Sequence, residues 1–237
     1  MKAFLLAAGV GSRLRPITDT MPKCMVPIDD QPLLDIWLDA FARAGVDKVL
    51  VNLHHLPDVV RQHVAARSGA PSVGLVHEPE LLGSAGTLTA NRAWVAEEDF
   101  FLVCYADNLT DFDLSTLVAA HRAHGAMATV AVFHSDTPWT GGVVEVDEAG
   151  LIAGFTEKPA RPVSDLVNAG VYAFSPAVLD EISGIRNGGR VLDIGYHLLP
   201  RLVGRAYTVP VDGYFRDIGT PEAYRQAREE WPARASR

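Results

Sequence analysis

The chain has 237 residues but only two cysteines, Cys24 and Cys104, far apart and with no paired metal spacing. That argues against a disulfide framework and fits a reducing compartment. It also lacks a basic excess: 21 lysines and arginines against 29 aspartates and glutamates leave a net charge of −8. Affinity for nucleic-acid backbones comes from a basic surface, so a general nucleic-acid binder is disfavoured. A small phosphate ligand stays admissible, because it needs only a few local cations. No apolar run approaches the roughly 20 residues of a membrane span. Lys2 and the apolar run Ala3 to Val10 have the look of a short signal peptide, but Arg13 and Arg15 follow at once, without a small-residue cleavage site. The expectation is a cytoplasmic protein with no membrane and no nucleic-acid partner. Charged residues are 21% and apolar residues 48%, too apolar for a disordered chain.

What is present alternates between strand and helix. Lys2 to Ala7 is a short apolar run ending at glycines, which reads as a buried strand. Leu33 to Phe41 carries apolar residues at helical spacing and stops before Gly45. Val49 to Leu53 is the next strand, Pro57 to Ala66 a helix, and Val73 to Val76 a strand. A helix follows from Ser84, with Ser84 as its cap and Leu88, Ala90 and Trp94 along it. Phe100 to Tyr105 is a fourth apolar strand. Strands apolar throughout suit a parallel sheet covered on both faces. After a helix at Leu114 to His121 and a strand at Thr129 to Phe133, the pattern changes. Val143 to Val146 and Leu151 to Phe155 flank the turn Glu148-Ala149-Gly150 as a hairpin. Val167 to Phe174, Tyr207 to Val211 and Tyr214 to Ile218 read as strands. Helices are expected after Pro176, over Tyr196 to Leu202, and from Pro221. The reading is one α/β domain over residues 1–237, with a nucleotide-binding half at 1–134 and a mixed, substrate-binding half at 135–237. The fold class is Rossmann-like: a mixed, mainly parallel sheet with helices on both faces.

The first loop reads Ala8-Gly9-Val10-Gly11-Ser12-Arg13-Leu14-Arg15-Pro16. Glycines after a first parallel strand let backbone N–H groups approach phosphates at the carboxyl end of a sheet. The loop has neither the third glycine of a dinucleotide fingerprint nor the Gly-Lys-Ser/Thr of a Walker loop. Arg13 and then Pro22-Lys23 place two cations beside it, which suits a polyphosphate. Gly9 to Thr18 together with Pro22-Lys23-Cys24-Met25-Val26-Pro27 resembles the signature of the sugar-1-phosphate nucleotidylyltransferases. Further along, Glu78 to Thr87, Tyr105-Ala106-Asp107-Asn108, Glu157-Lys158-Pro159, Asn168-Ala169-Gly170 and Asp217-Ile218-Gly219-Thr220-Pro221 resemble that family's later motifs, in the family's order. The closest likeness is to the short guanylyltransferases that make GDP-mannose.

The resemblance implies roles. Arg13 and Lys23 are the catalytic cations, Arg13 on the departing pyrophosphate and Lys23 on the α-phosphate or sugar phosphate. Ala8, Gly9, Gly11, Ser12, Glu78 and Gly83 are the nucleotide contacts, with Glu78 and Gly83 facing the base. Gly142, Glu157, Lys158 and Asn168 hold the sugar phosphate. Asp107 and Asp217 are the ligands of one Mg²⁺, the implied cofactor. Asp111, Asp113 and Asp193 read as caps or turn residues. His54, His55, His63, His121 and His124 read as surface or capping histidines, and Trp37 and Trp94 as core. The implied partners are a nucleoside triphosphate, GTP in preference to UTP or dTTP, and a sugar or cyclitol phosphate; a homo-oligomer is left open. Longer relatives continue into a left-handed β-helix, which is not expected in the 237 − 217 = 20 residues after Asp217. Two rival classes make different predictions. A non-catalytic nucleotide-sugar sensor predicts losses among Arg13, Lys23, Asp107 and Asp217, and all four are present. A GT-A glycosyltransferase shares the fold but not the Gly-Arg-Lys signature.

Overall fold

A computed structural model describes residues 1–185 and 191–231. In chain order the elements are β1 (Lys2–Leu6), β2 (Pro27–Ile28), β3 (Gln31–Pro32), α1 (Leu33–Arg43), β4 (Lys48–Leu53), α2 (Pro57–Ala66), β5 (Ser72–His77), α3 (Ser84–Ala90), β6 (Phe101–Tyr105) and β7 (Asn108–Thr110). Then come α4 (Leu114–His124), β8 (Ala128–His134), β9 (Gly142–Val146), β10 (Ile152–Glu157), β11 (Leu166–Phe174), α5 (Val178–Ser183), β12 (Ala206–Pro210), β13 (Phe215–Asp217) and α6 (Pro221–Glu230).

Nine strands form the central sheet, in the order β10-β9-β11-β6-β1-β4-β5, with β8 joined to β11 and β12 to β8. The first-half strands β6, β1, β4 and β5 are parallel neighbours. β11 then runs antiparallel to both β6 and β8, and β9 and β10 form the antiparallel hairpin. Both faces of the sheet are buried because successive side chains on a strand point opposite ways. Ala3 and Leu5 of β1 pack with α1, α4 and α6, whereas Phe4 and Leu6 pack with α3 and α5. The glycine stop of α1 is real: Gly45 adopts φ +75°, and across it Val46 N–H bonds the Phe41 carbonyl at 2.9 Å.

Four local expectations need correction. The helix from Ser84 ends at Ala90, and Trp94 lies in a following 3-10 turn. Ser84 does not cap α3; Gly83 holds the cap position with no side-chain bond. His121 is buried, not a surface residue: it bonds the Thr129 hydroxyl at 2.9 Å, and burial lowers its pKa. The segment around Tyr196 to Leu202 is a π-helical turn (Ile194–Leu198) followed by a 3-10 turn (Leu199–Leu202). Pro200 has no N–H to continue an α-helical ladder there. Trp37 is core as expected, its indole N–H donating to the Asn108 carbonyl at 2.8 Å.

Candidate active site

The parallel strands β1, β4, β5 and β6 end at one edge, so Ala7 to Gly9, Asn52, Glu78 and Asp107 gather there. Ligands of open α/β sheets bind at such strand ends. β11 runs the other way, so its first residues, including Asn168, arrive at that edge too. The pairing of β10 with β9 sets Glu157 opposite Gly142. Two cavities result.

The first cavity, of about 370 Å³, is lined by Ala8, Gly9, Lys23, Cys24, Asn52, Glu78, Gly83, Ser84 and Thr87 among others. Its floor is a polar network. The Asn52 carbonyl oxygen accepts from Ala7 N–H at 2.7 Å, and its amide donates to Glu78 Oε1 at 2.9 Å and to Thr87 Oγ1 at 3.1 Å. Thr87 Oγ1 also donates to Glu78 Oε1, and Leu82 N–H donates to Glu78 Oε2 at 3.2 Å. Buried polar groups at 5% (Asn52) and 3% (Glu78) exposure are tolerable only with such partners. Gly83 sits at φ +81°, where an added Cβ would meet the Leu192 carbonyl oxygen. Burial pushes the Cys24 thiol up to about 12, which leaves it no nucleophilic thiolate near neutral pH.

The second cavity, of about 280 Å³, is lined by Gly142, Glu157, Lys158, Asn168, Asp193 and Asp217, among others. A register shift in β11 between Asn168 and Tyr172, with Gly170 at φ +69°, bends the strand beside it. Bulges re-aim side chains next to sites. Here the Asn168 amide donates to Tyr172 Oη at 2.7 Å, and its carbonyl accepts from Gly170 N–H. Lys158 takes φ +47°, and its N–H bonds the Gly141 carbonyl at 2.9 Å. A Cβ on Gly142 would lie 2.7 Å from Glu157 Oε2 and against the Phe155 ring, so the glycine is what admits both side chains. Burial raises the Glu157 pKa; the Asp193 charge adds to the rise, and Lys158 opposes it.

A charged centre joins the two cavities. β13 pairs with β7 so that Asp217 faces Asn108, and Ile218 N–H bonds the Asp107 carbonyl at 3.1 Å. That brings Asp217 beside Asp107. Lys23, only 7% exposed, donates from Nζ to Asp107 Oδ2 at 2.8 Å and to Asp217 Oδ1 at 3.2 Å. Arg13 Nη2 lies 3.6 Å from Asp217 Oδ2. Asp107 lines both cavities.

The expected residues thus fall into four groups, Asp107 lining both cavities. Ala8, Gly9, Lys23, Glu78 and Gly83 line the first cavity, and Gly142, Glu157, Lys158, Asn168 and Asp217 the second. Gly11, Ser12 and Arg13 line neither. Gly11 is left-handed at φ +66°, packed against Thr18, and Ser12 is exposed. Arg15 pairs with Asp19 at 3.2 Å on the surface. Asp113 and Asp193 accept first-turn N–H bonds as cap residues, from Ser115 and Tyr196, whereas Asp111 is no cap: it accepts from Tyr214 N–H at 2.6 Å, across 103 residues. Asp193, however, also lines both cavities. Asn52, Thr87, Tyr105 and Asp193 were missed as site residues. Asn52 left one trace, a polar residue within an otherwise apolar strand.

An open α/β sheet with two cavities at its strand ends, joined by two cations and two carboxylates, defines a class of α/β protein that takes ligands at the carboxyl end of its sheet. The comparisons make it specific. A family model described as nucleotidyl transferase matches residues 2–233, and the chain belongs to that family. It is 33% identical over 248 residues to the mannose-1-phosphate guanylyltransferase catalytic subunit beta of Xenopus tropicalis, spanning 98% of this chain and 68% of that protein. It is 36% identical over 245 residues to the UTP–glucose-1-phosphate uridylyltransferase of Synechocystis, spanning 96% of this chain and 62% of that protein. A crystal structure from Bacillus anthracis, described as a glucose-1-phosphate thymidylyltransferase in complex with sucrose, superposes with a TM-score of 0.84 at 24% identity, covering 97% of this chain and 94% of that one. That likeness speaks for the fold. Among the described residues, no helix is long and apolar enough to cross a membrane.

Proposed function

We propose that the chain transfers a nucleotidyl group from a nucleoside triphosphate, GTP preferred, to a sugar 1-phosphate, giving a nucleotide sugar and pyrophosphate. The observation that carries this reading is the meeting of Lys23, Asp107, Asp217 and Arg13 where the two cavities join. The first cavity takes the nucleotide, and the second the sugar phosphate. An oxygen of the sugar phosphate forms a bond to the α-phosphorus as the bond to the bridging oxygen of pyrophosphate breaks, and the electron pair leaves with pyrophosphate. The nucleophile is already anionic near neutral pH, so no general base is needed. Lys23 and Arg13 act by positioning and by stabilising charge.

Asp107 and Asp217 would hold a Mg²⁺. Two carboxylates completed by substrate phosphate oxygens are the donor set that ion prefers. The Lys23 ammonium between them marks a place already suited to a cation. When bound, the ion would neutralise charge on the two phosphates. Support for GTP comes from the guanylyltransferase relatives, while Glu78 is placed to receive a base N–H, which guanine, uracil and thymine all carry. An ionised carboxylate offers about four lone-pair sites and no donor. Asn52, Thr87 and Leu82 use three of them, and the remaining acceptor suits a base edge bearing N–H groups. The uridylyltransferase relative supports UTP as the second reading.

The test is pyrophosphate release with GTP, UTP and dTTP against mannose, glucose and cyclitol phosphates. The expected result is fastest release with GTP, abolished by EDTA and restored by Mg²⁺. Preference for UTP or dTTP removes the guanine assignment alone, and turnover persisting in EDTA removes the divalent ion.

A second prediction follows from Glu157. Its raised pKa means that it takes up a proton at higher pH than an ordinary glutamate. As pH falls, the carboxylate that accepts from sugar hydroxyls is lost early, so KM for the sugar phosphate should climb on the acid side. The Glu157→Gln variant should lose that limb, leaving only the titration of the substrate's own phosphate. Identical KM profiles in the two proteins would take Glu157 out of the sugar site.

A further inference from the structure

Leu192 to Ile194 is fastened to the start of α3 across more than a hundred residues. The Leu192 carbonyl accepts from Ala85 and Gly86 N–H at 3.0 and 3.2 Å, and Leu192 N–H donates to the Leu82 carbonyl at 3.1 Å. These bonds satisfy first-turn donors of α3 that a capping side chain would otherwise serve. The Ser84 hydroxyl is thereby released for a different task. It donates to Asp193 Oδ2 at 2.9 Å and accepts from Ile194 N–H at 2.8 Å. The other oxygen of Asp193 accepts from Tyr196 N–H at 3.0 Å, at the start of the π-helical turn. A methyl group on Gly195 would touch Glu157 Oε2 and lie 3.3 Å from Asp193 Oδ1, so the two carboxylates face each other over Gly195. Leu82 in turn donates to Glu78. A route of hydrogen bonds and short chain links therefore runs from Glu78 on the floor of the first cavity to Asp193, which lines the second cavity opposite Glu157, without passing through Lys23, Asp107 or Asp217.

We propose that Asp193 is a positioning residue for the transfer: through Ser84 it keeps the nucleotide cavity in register with Glu157, so that filling one cavity raises the affinity of the other. This rests on the nucleotide and sugar-phosphate assignment of the two cavities. A connected network does not by itself prove energetic coupling; a measured coupling does. The coupling must also be reciprocal for equilibrium binding.

The experiment uses the full chain and whichever pair, among GTP, UTP and dTTP with mannose or glucose 1-phosphate, releases pyrophosphate fastest. Affinity for that sugar phosphate is measured by calorimetry with and without the α,β-methylene analogue of that triphosphate. The wild type should bind the sugar phosphate at least about fivefold more tightly with the analogue present. Ser84→Ala should bring the ratio close to one, although Ser84 lines only the first cavity. Asp193→Asn keeps polar groups for Ser84 and Tyr196 while removing the charge facing Glu157. It should retain the coupling and move the acid limb of the sugar KM profile to lower pH, Lys158 being left as the charge near Glu157. A purely structural role would lower the melting temperature and move neither quantity. A wild type without coupling, or a folded Ser84→Ala variant with wild-type coupling, overturns the proposal. Lack of turnover with every pair overturns the function assignment, and this inference with it.

Discussion

Lys23→Ala should lower kcat for pyrophosphate release by about 10²–10³, or roughly 3–4 kcal/mol of transition-state stabilisation, the loss typical of a preorganised electrostatic donor. The size follows from the position of the side chain. Its ammonium is nearly buried and is held by two carboxylates drawn from strand ends 107 and 217. A nearly buried ammonium meets a developing charge with little screening by water. Its removal also leaves Asp107 and Asp217 close together without their shared cation, so both binding and chemistry suffer. Lys23→Arg should rescue little. A planar guanidinium has a different reach and donor geometry from a compact ammonium. Saturating-substrate kinetics on a variant with an unchanged circular dichroism spectrum is the measurement. A kcat within threefold of wild type would falsify the role of Lys23.

The second large effect belongs to a residue that no motif picked out. Asn52→Ala removes the acceptor for Ala7 N–H and one donor to the Glu78 carboxylate, both inside the buried floor of the first cavity. Stranding a buried polar group costs about 1–3 kcal/mol, and a charged one more, so roughly 3–5 kcal/mol is expected in total. For a chain of this size each kcal/mol moves Tm by about 2–4 °C, so a drop of roughly 10 °C should be seen in a thermal melt. Asn52→Asp should also destabilise, because it turns a donor toward Glu78 into a second acceptor. KM for the triphosphate should rise in both variants, since Ala7 opens the glycine loop. A melting temperature within about two degrees of wild type for Asn52→Ala would show the network to be dispensable.

Much of the fold was legible because its determinants are local. Apolar runs of strand length, helical spacing with a glycine stop at Gly45, and proline starts at Pro57 and Pro221 place most elements close to where they lie, α3 and the end of α4 excepted. The site was legible only where chemistry stands in a motif: Lys23, Asp107, Glu157, Asn168 and Asp217 do line the cavities. Gly11 and Ser12 stand in a motif and do not.

The misses share one cause. Ser84 looks like a cap in any local window, but it lies inside the helix with Gly83 at the cap position, and the Leu192 carbonyl accepts the first-turn N–H groups of Ala85 and Gly86. His121 looks like a surface residue of an amphipathic helix until Thr129 of β8 folds over it. Asn52 is an oddity in a strand until Ala7, Glu78 and Thr87 converge on it.

The sequence by itself determined the alternation of strands and helices, the two faces of β1 and the chemical character of the loop residues, because each depends on neighbours a few positions away. Tertiary structure alone decided that a lysine at 23 lies between aspartates at 107 and 217, and that an aspartate at 193 belongs to both cavities. Those placements come from the pairing of β13 with β7 and from the bonds that fasten Leu192 and Asp193 to the start of α3. Contacts across a hundred residues are set by strand order and register, which no local pattern encodes.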